Sequence, residues 1–229
     1  MTPRPPLRSL LLRRRAAGRA VAVAMLFGAT LVAAPATSAS AVPGILEIVR
    51  PAAGPLGPIS IIGDSVLVGA SLEPSLPTVL AGQGWGPIRF RAGLGYTAGN
   101  FQPANSDFSA ANWITRWRQG GWDAPNVVVN IGNNDVGFCR ADVACNATTI
   151  RYLLDAIGPG RTVWWSKITR IYTLSAEAAA YNAALDLVAT ERSNLRVWDW
   201  PAVQGANGIR LSGDGIHLAD AVAYRQRTA

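Results

Sequence analysis

The chain has 229 residues, with 21 Lys and Arg against 14 Asp and Glu, one histidine and two cysteines, for a formal net charge of +7. Six of those 21 basic residues (Arg4, Arg8, Arg13, Arg14, Arg15 and Arg19) precede position 42 and no acid precedes Glu47, which leaves 15 basic against 14 acidic groups and a net charge of +1. The basic excess therefore belongs to the N-terminal segment and gives no case for nucleic acid as a partner, and one histidine with two cysteines does not make up a zinc site.

The N-terminal arginines are followed by an apolar stretch from Ala20 to Ala36 and by Ala39-Ser40-Ala41. Basic head, apolar middle and small-x-small site in that order predict a secretory signal peptide over residues 1–41, hence an extracytoplasmic location. An uncleaved anchor is the alternative. The apolar stretch is short for a bilayer and diluted by Gly28 and Thr30, which favours removal and leaves no stable membrane insertion. Arg13-Arg14 also raises a twin-arginine route.

Residues 42–57, with recurring Pro and Gly, read as a lead-in segment, and 58–229 as one domain. Ile59, Ile61 and Ile62 predict a short buried strand that Gly63 turns toward a helix starting near Ser65. Val66–Leu80 has helical spacing broken by Pro74 and Pro77. Residues 88–92 alternate as a strand and run into a glycine-rich loop, Gly93 to Asn100. A helix over 110–119 carries Trp113 and Trp117 on one face. Val127–Ile131 is a buried strand ending in Gly132-Asn133-Asn134-Asp135. Cys139 and Cys145, in an exported chain, predict one small disulfide. Asn146-Ala147-Thr148 has the glycosylation spacing. A helix over 148–157, a strand over 162–166, a helix over 176–192, a strand over 195–200, a loop over 205–213 and a helix over 218–227 complete the chain. Strands alternating with helices predict a three-layer α/β/α sandwich with a mostly parallel sheet of about five strands.

Such a sheet gathers the loops after its strands at one rim, which brings Ser65, the glycine loop, Asn134 and His217 together. A serine hydroxyl needs a base to take its proton, and the base needs a carboxylate to fix its tautomer. Asp214-Gly215-Ile216-His217 supplies both at a three-residue spacing. The residues around Ser65 do not form the Gly-x-Ser-x-Gly elbow of α/β-hydrolases.

With these blocks in place, the chain resembles the SGNH (GDSL-type) hydrolase superfamily: Gly63-Asp64-Ser65, Gly95, Gly132-Asn133-Asn134 and Asp214-x-x-His217 occur in the family's order. The resemblance implies a flavodoxin-like fold and a triad of nucleophile Ser65, base His217 and orienting Asp214. It also implies an oxyanion hole from the N–H groups of Ser65 and Gly95 and the Asn134 amide, with Gly93 as the alternative to Gly95. No cofactor is implied. Ile62 to Leu67, Tyr181 to Leu185, Val197 to Trp200 and Asp214 to Leu218 are similar to SGNH domains attached to membrane acyltransferases that O-acylate bacterial cell-wall polymers, although Asn133 and Asp135 differ from the Thr and Gly often found there. The expected activity is ester hydrolysis through an acyl-enzyme, on small acyl groups of cell-surface glycans or other acylated small molecules, with O-acyl transfer as the alternative. Two rival readings exist. Gly93-x-Gly95-x-x-x-Gly99 is one residue too long for a dinucleotide fingerprint. A non-catalytic wall-binding module would need exposed members of Trp113, Trp117, Trp122, Trp164, Trp165, Trp198 and Trp200, most of which are expected in the core.

Overall fold

The computed structural model describes residues 44–71 and 75–228, so the expected signal peptide lies outside the described residues. Six strands form one sheet: β1 (Ile45–Arg50), β2 (Ile59–Gly63), β3 (Ile88–Gly93), β4 (Asn126–Asn130), β5 (Thr162–Ser166) and β6 (Leu195–Trp198), in the order β1-β3-β2-β4-β5-β6. β1 runs antiparallel to β3, and the other neighbours are parallel. The fold class is the expected one, with one strand more than the sequence suggested.

That extra strand is β1, which lies inside the stretch expected to be a lead-in. Pro and Gly around it hide its β-branched character, and its partner β3 is some forty residues away, so only tertiary pairing defines it. Its Glu47 accepts a 2.6 Å hydrogen bond from the buried guanidinium of Arg91.

Strand alternation sorts the core into two layers. Val127, Val129, Val163 and Trp165 face the helices α3 (Ala110–Gln119), α5 (Val143–Ile157) and α6 (Ser175–Glu191), which bury Trp117, Ile150, Leu153 and Leu185 against them. On the opposite face Ile59, Ile61, Ile88 and Phe90 pack under α1 (Ser65–Gly69) and α2 (Leu76–Gly82). A third cluster joins α7 (Trp200–Ala206) to α8 (Ala221–Thr228) through Trp200 and Ala223.

Four helical features differ from expectation, one of them α8, which starts at Ala221 rather than 218 because Leu218 pairs with Leu211. α5 starts five residues earlier because Asp142 caps it, accepting from the N–H groups of Ala144 and Cys145. A short helix, α4 (Val136–Cys139), follows Asp135, and α7 replaces the end of the predicted last strand: Asp199 caps it, and Pro201 is tolerated in its first turn. Among the described residues no helix is long and apolar enough to cross a membrane.

The Glu47 to Arg91 pair is a measurable constraint on the sheet edge. Glu47→Ala strands a buried cation and is expected to lower stability by about 3 kcal/mol in urea denaturation, with Glu47→Gln costing less. Equal and negligible losses in both variants would show that Arg91 is held sufficiently by the Trp113 ring beneath its guanidinium and by the Tyr96 hydroxyl that accepts from its Nε.

Candidate active site

β2 is the point where the chain switches direction across the sheet: it goes first to β3 on one side and then to β4 on the other. A crevice opens at the carboxyl end of such a strand. Gly63 ends β2 there, and Asp64 caps α1 by accepting from the Val66 N–H at 3.0 Å. Ser65 is thus the first helical residue, half-buried and free of the capping role. Its Oγ lies 2.8 Å from His217 Nε2, and His217 Nδ1 lies 2.6 Å from Asp214 Oδ2. The three residues named from the sequence are brought together by a sequence separation of 152 between serine and histidine.

The Asp214 to His217 turn is held from within. Asp214 Oδ1 accepts from Ser212 Oγ and from the N–H groups of Ile216 and His217. Partial burial opposes ionisation of Asp214, but these bonds and the one to the His217 ring outweigh it and hold the carboxyl well below the usual carboxylate range. Gly215, at a φ of +71°, fits beneath Ile171 and Tyr172, where a Cβ would meet both side chains.

The two glycines left open by the sequence have different roles. Gly93 belongs to β3, and a Cβ there would strike the Tyr96 ring at 2.7 Å. Gly95 sits exposed at φ +74° with open space around it, while its neighbours Leu94 and Tyr96 spend their N–H groups on the carbonyls of Gly44 and Gly93. Gly95 is therefore the one with room for a ligand. Asn134 donates from Nδ2 to the Tyr96 carbonyl at 2.8 Å, which links its amide to the same loop. No helix opens after the glycine run, since α3 begins only at Ala110, so the dinucleotide reading lacks the helix N-terminus it requires.

Sequence reasoning missed the buried support. Asp64 has no exposure, and its Oδ2 accepts from both the N–H and the side-chain amide of Asn133. Burial raises its pKa, with the Asn133 and Val66 donors and the charge of Arg227 opposing. Asp135 is also fully buried: its Oδ1 accepts from the Ala98 N–H at 2.9 Å, and its Oδ2 has no hydrogen-bond partner among the described residues. Arg170 donates to the Asn133 carbonyl at 2.6 Å. Asn182 makes a two-bond clasp on the backbone of Ile168, which gives the Tyr181-Asn182 motif a structural role. The run of three polar residues after Gly132 was the available signal for Asp135, but a sequence does not show which of them are buried.

Cys139 and Cys145 are joined, as expected, which removes the zinc reading. Asn146 is fully buried and donates to the carbonyls of Arg140 and Asp142, so the glycosylation spacing is not an accessible site. Of the tryptophans, Trp117, Trp165 and Trp200 are buried and Trp113 and Trp122 pack against the core. Trp164 and Trp198 are exposed and line an apolar groove of about 220 Å³ with Leu67, Leu76 and Leu80. Among the described residues no group of His, Cys, Asp and Glu is arranged to hold a metal ion.

Comparison with solved structures identifies the fold. The catalytic domain of Streptococcus pneumoniae peptidoglycan O-acetyltransferase A matches with a TM-score of 0.58 at 15% identity, covering 75% of this chain and 88% of that one. A member of the lipolytic protein G-D-S-L family from Veillonella parvula matches with a TM-score of 0.58 at 18% identity, over 75% and 94%. A carbohydrate acetylesterase family member from Sinorhizobium meliloti matches with a TM-score of 0.54 at 18% identity, over 74% and 92%. No protein-family model and no curated protein sequence matches the chain. The chain has the SGNH (GDSL-type) hydrolase fold.

Asp135 makes the site's stability depend on pH. Burial, with the nearby charge of Asp64, raises its pKa from 3.8 to about 7, against the Ala98 donor. The folded chain therefore holds this proton to higher pH than the unfolded chain does. Its contribution is complete below about pH 4 and is lost as pH rises through about 7. Asp135→Asn keeps an acceptor for Ala98 without a charge, so its stability relative to the parent should rise by roughly 2–4 kcal/mol between pH 4 and pH 8 in denaturant titrations. A difference constant across that range would show that Asp135 does not titrate there.

Proposed function

We propose that the protein is an exported serine ester hydrolase that removes small O-acyl groups from cell-surface glycans. The observation that carries this reading is the continuous hydrogen-bonded relay from Ser65 Oγ through His217 to Asp214, placed at the switch point of the sheet. His217 Nε2 takes the Ser65 proton as Oγ bonds to the ester carbonyl carbon, and Asp214 steadies the charged ring. The N–H groups of Ser65 and Gly95 and the Asn134 amide receive the oxyanion. Collapse of the tetrahedral intermediate breaks the ester C–O bond, and His217 returns the proton to the departing alcohol. Water then enters by the same proton transfer in reverse and releases the acid and free Ser65.

The glycan and the short acyl group are supported by two of the similar structures, a carbohydrate acetylesterase family member and a peptidoglycan O-acetyltransferase domain. Export is supported by the N-terminal sequence pattern and the disulfide. The second reading is acyl transfer, favoured by the likeness to the O-acetyltransferase domain. Water is present at tens of molar, so an acceptor at roughly millimolar level needs an effective-molarity advantage on the order of 10⁴. Hydrolysis is therefore the default. Mass spectrometry after incubation with an activated acetyl ester and an oligosaccharide tests it: acetylated sugar forming faster than free acetate would make the protein a transferase.

Ser65→Ala and His217→Ala are each expected to abolish turnover of 4-nitrophenyl acetate while the thermal transition stays cooperative. The double variant should be no worse than the singles, because the two groups act as one unit. Multiplying losses would separate them. Asn134→Ala is expected to lower kcat by about 10²–10³-fold with little change in KM. A change confined to KM would move Asn134 to substrate binding.

A further inference from the structure

The segments that follow the carboxyl ends of β3, β4 and β5 carry apolar side chains that the core does not use. Leu94 and Phe101 follow β3, Phe138 lies on α4 just after Asn134, and Ile171 and Tyr172 follow β5, all of them exposed. Among them Phe101 and Phe138 form a distinct unit: their rings stack at 4.9 Å with an interplanar angle of 12°, yet they remain 40% and 52% exposed.

Both rings are held in place from below. Asn100, beside Phe101, donates to Thr149 Oγ1 at 3.0 Å, and Cys139, beside Phe138, is bonded to Cys145, so each ring is fastened to α5 by its neighbour in the chain. The loops that carry the rings also carry Gly95 and Asn134, and Asp135 ties them together through the Ala98 N–H. A stacked pair of rings left in water, carried by the same two loops as Gly95 and Asn134, is poorly explained as packing. Preorganised exposed apolar surface of this kind marks a binding site.

We infer that the Phe101 and Phe138 pair is the subsite that stacks against a pyranose ring of the acylated sugar, on the alcohol side of the ester. This rests on the function proposed above. The C–H face of a pyranose is flat and apolar while its edge is hydroxylated, so it fits an open aromatic surface flanked by polar groups. Gln102 and the exposed Arg140 follow the two rings closely in the chain and are the polar side chains available for such contacts. An alkyl chain finds a better match elsewhere, in the groove beside Trp164 and Trp198 with its aliphatic lining of Leu67, Leu76 and Leu80.

The test uses Ser65→Ala protein, so that binding is read without turnover, titrated with chitotetraose by calorimetry. Phe101→Ala and Phe138→Ala, each added to that background, are expected to weaken binding by about tenfold, and Phe138→Tyr to retain it within about twofold. Leu187→Ala, an exposed apolar residue on α6, is the control that leaves binding unchanged. Thermal melts of each variant report folding. Absent binding by the parent background, or binding unaffected by both phenylalanine substitutions, would overturn the proposal. In proteins that keep Ser65, a loss specific to 4-nitrophenyl octanoate over an acetylated chito-oligosaccharide would also overturn it by making the rings an acyl surface. Phenylalanine-dependent sugar binding in a protein whose wild type hydrolyses no ester would leave the subsite standing and sink the esterase reading alone.

Discussion

The site depends on a carboxylate that never meets water. Asp64 accepts from the Val66 N–H with one oxygen and from the Asn133 N–H and amide with the other, which joins the first turn of α1 to the loop after β4. Burying a charge is tolerable only when its acceptors are filled, and three donors with the nearby guanidinium of Arg227 meet that condition. Because Asp64 is the cap, Ser65 beside it is left to face His217. The Gly-Asp-Ser block is thus one device in which the acid positions and the serine is presented.

A second chain of contacts reaches the other side of the cleft from the sheet edge. Glu47 on β1 holds Arg91, Arg91 donates to the Tyr96 hydroxyl at 2.6 Å, and the Tyr96 carbonyl receives the Asn134 amide. Burial pushes the Tyr96 phenol up to about 12, so it stays a neutral partner for Arg91 at any working pH. The loop after β4 is fixed from beneath as well. Tyr181 and Trp165 both donate to the Ile131 carbonyl, and the Tyr181 ring occupies the space where any Cβ at Gly132 would lie. Residues far from Asn134 in sequence therefore set the orientation of its amide.

The two sheet faces are finished differently. α3, α5 and α6 cover one with a continuous apolar layer, whereas on the other the groove beside α2 leaves Trp164 and Trp198 in contact with water. Asp135 departs from apolar finish in another way, as a buried acid with one oxygen unpaired next to a second buried acid. Such half-satisfied polar groups occur where a protein sacrifices stability to hold a site in shape.

The sequence by itself determined the parallel α/β architecture, because β-branched runs such as Val127–Val129 and amphipathic stretches such as 176–192 are local patterns that allow few arrangements. It also marked Ser65, Asp214 and His217 as candidates, since a serine at a strand end and an Asp-x-x-His pair are scarce in a chain with only one histidine, whereas Asn134 was marked by the family resemblance alone. Only the tertiary structure decided what depends on long-range pairing. β1 exists because β3 is beside it, α5 begins at Val143 because Asp142 caps it, and Gly95 rather than Gly93 is open because Tyr96 packs on the latter. The burial of Asp64 and Asp135 and the meeting of Phe101 with Phe138 belong to the same class. A local pattern records what a segment prefers, whereas burial and partnership depend on which other segments arrive, and that is fixed only when the sheet closes its core.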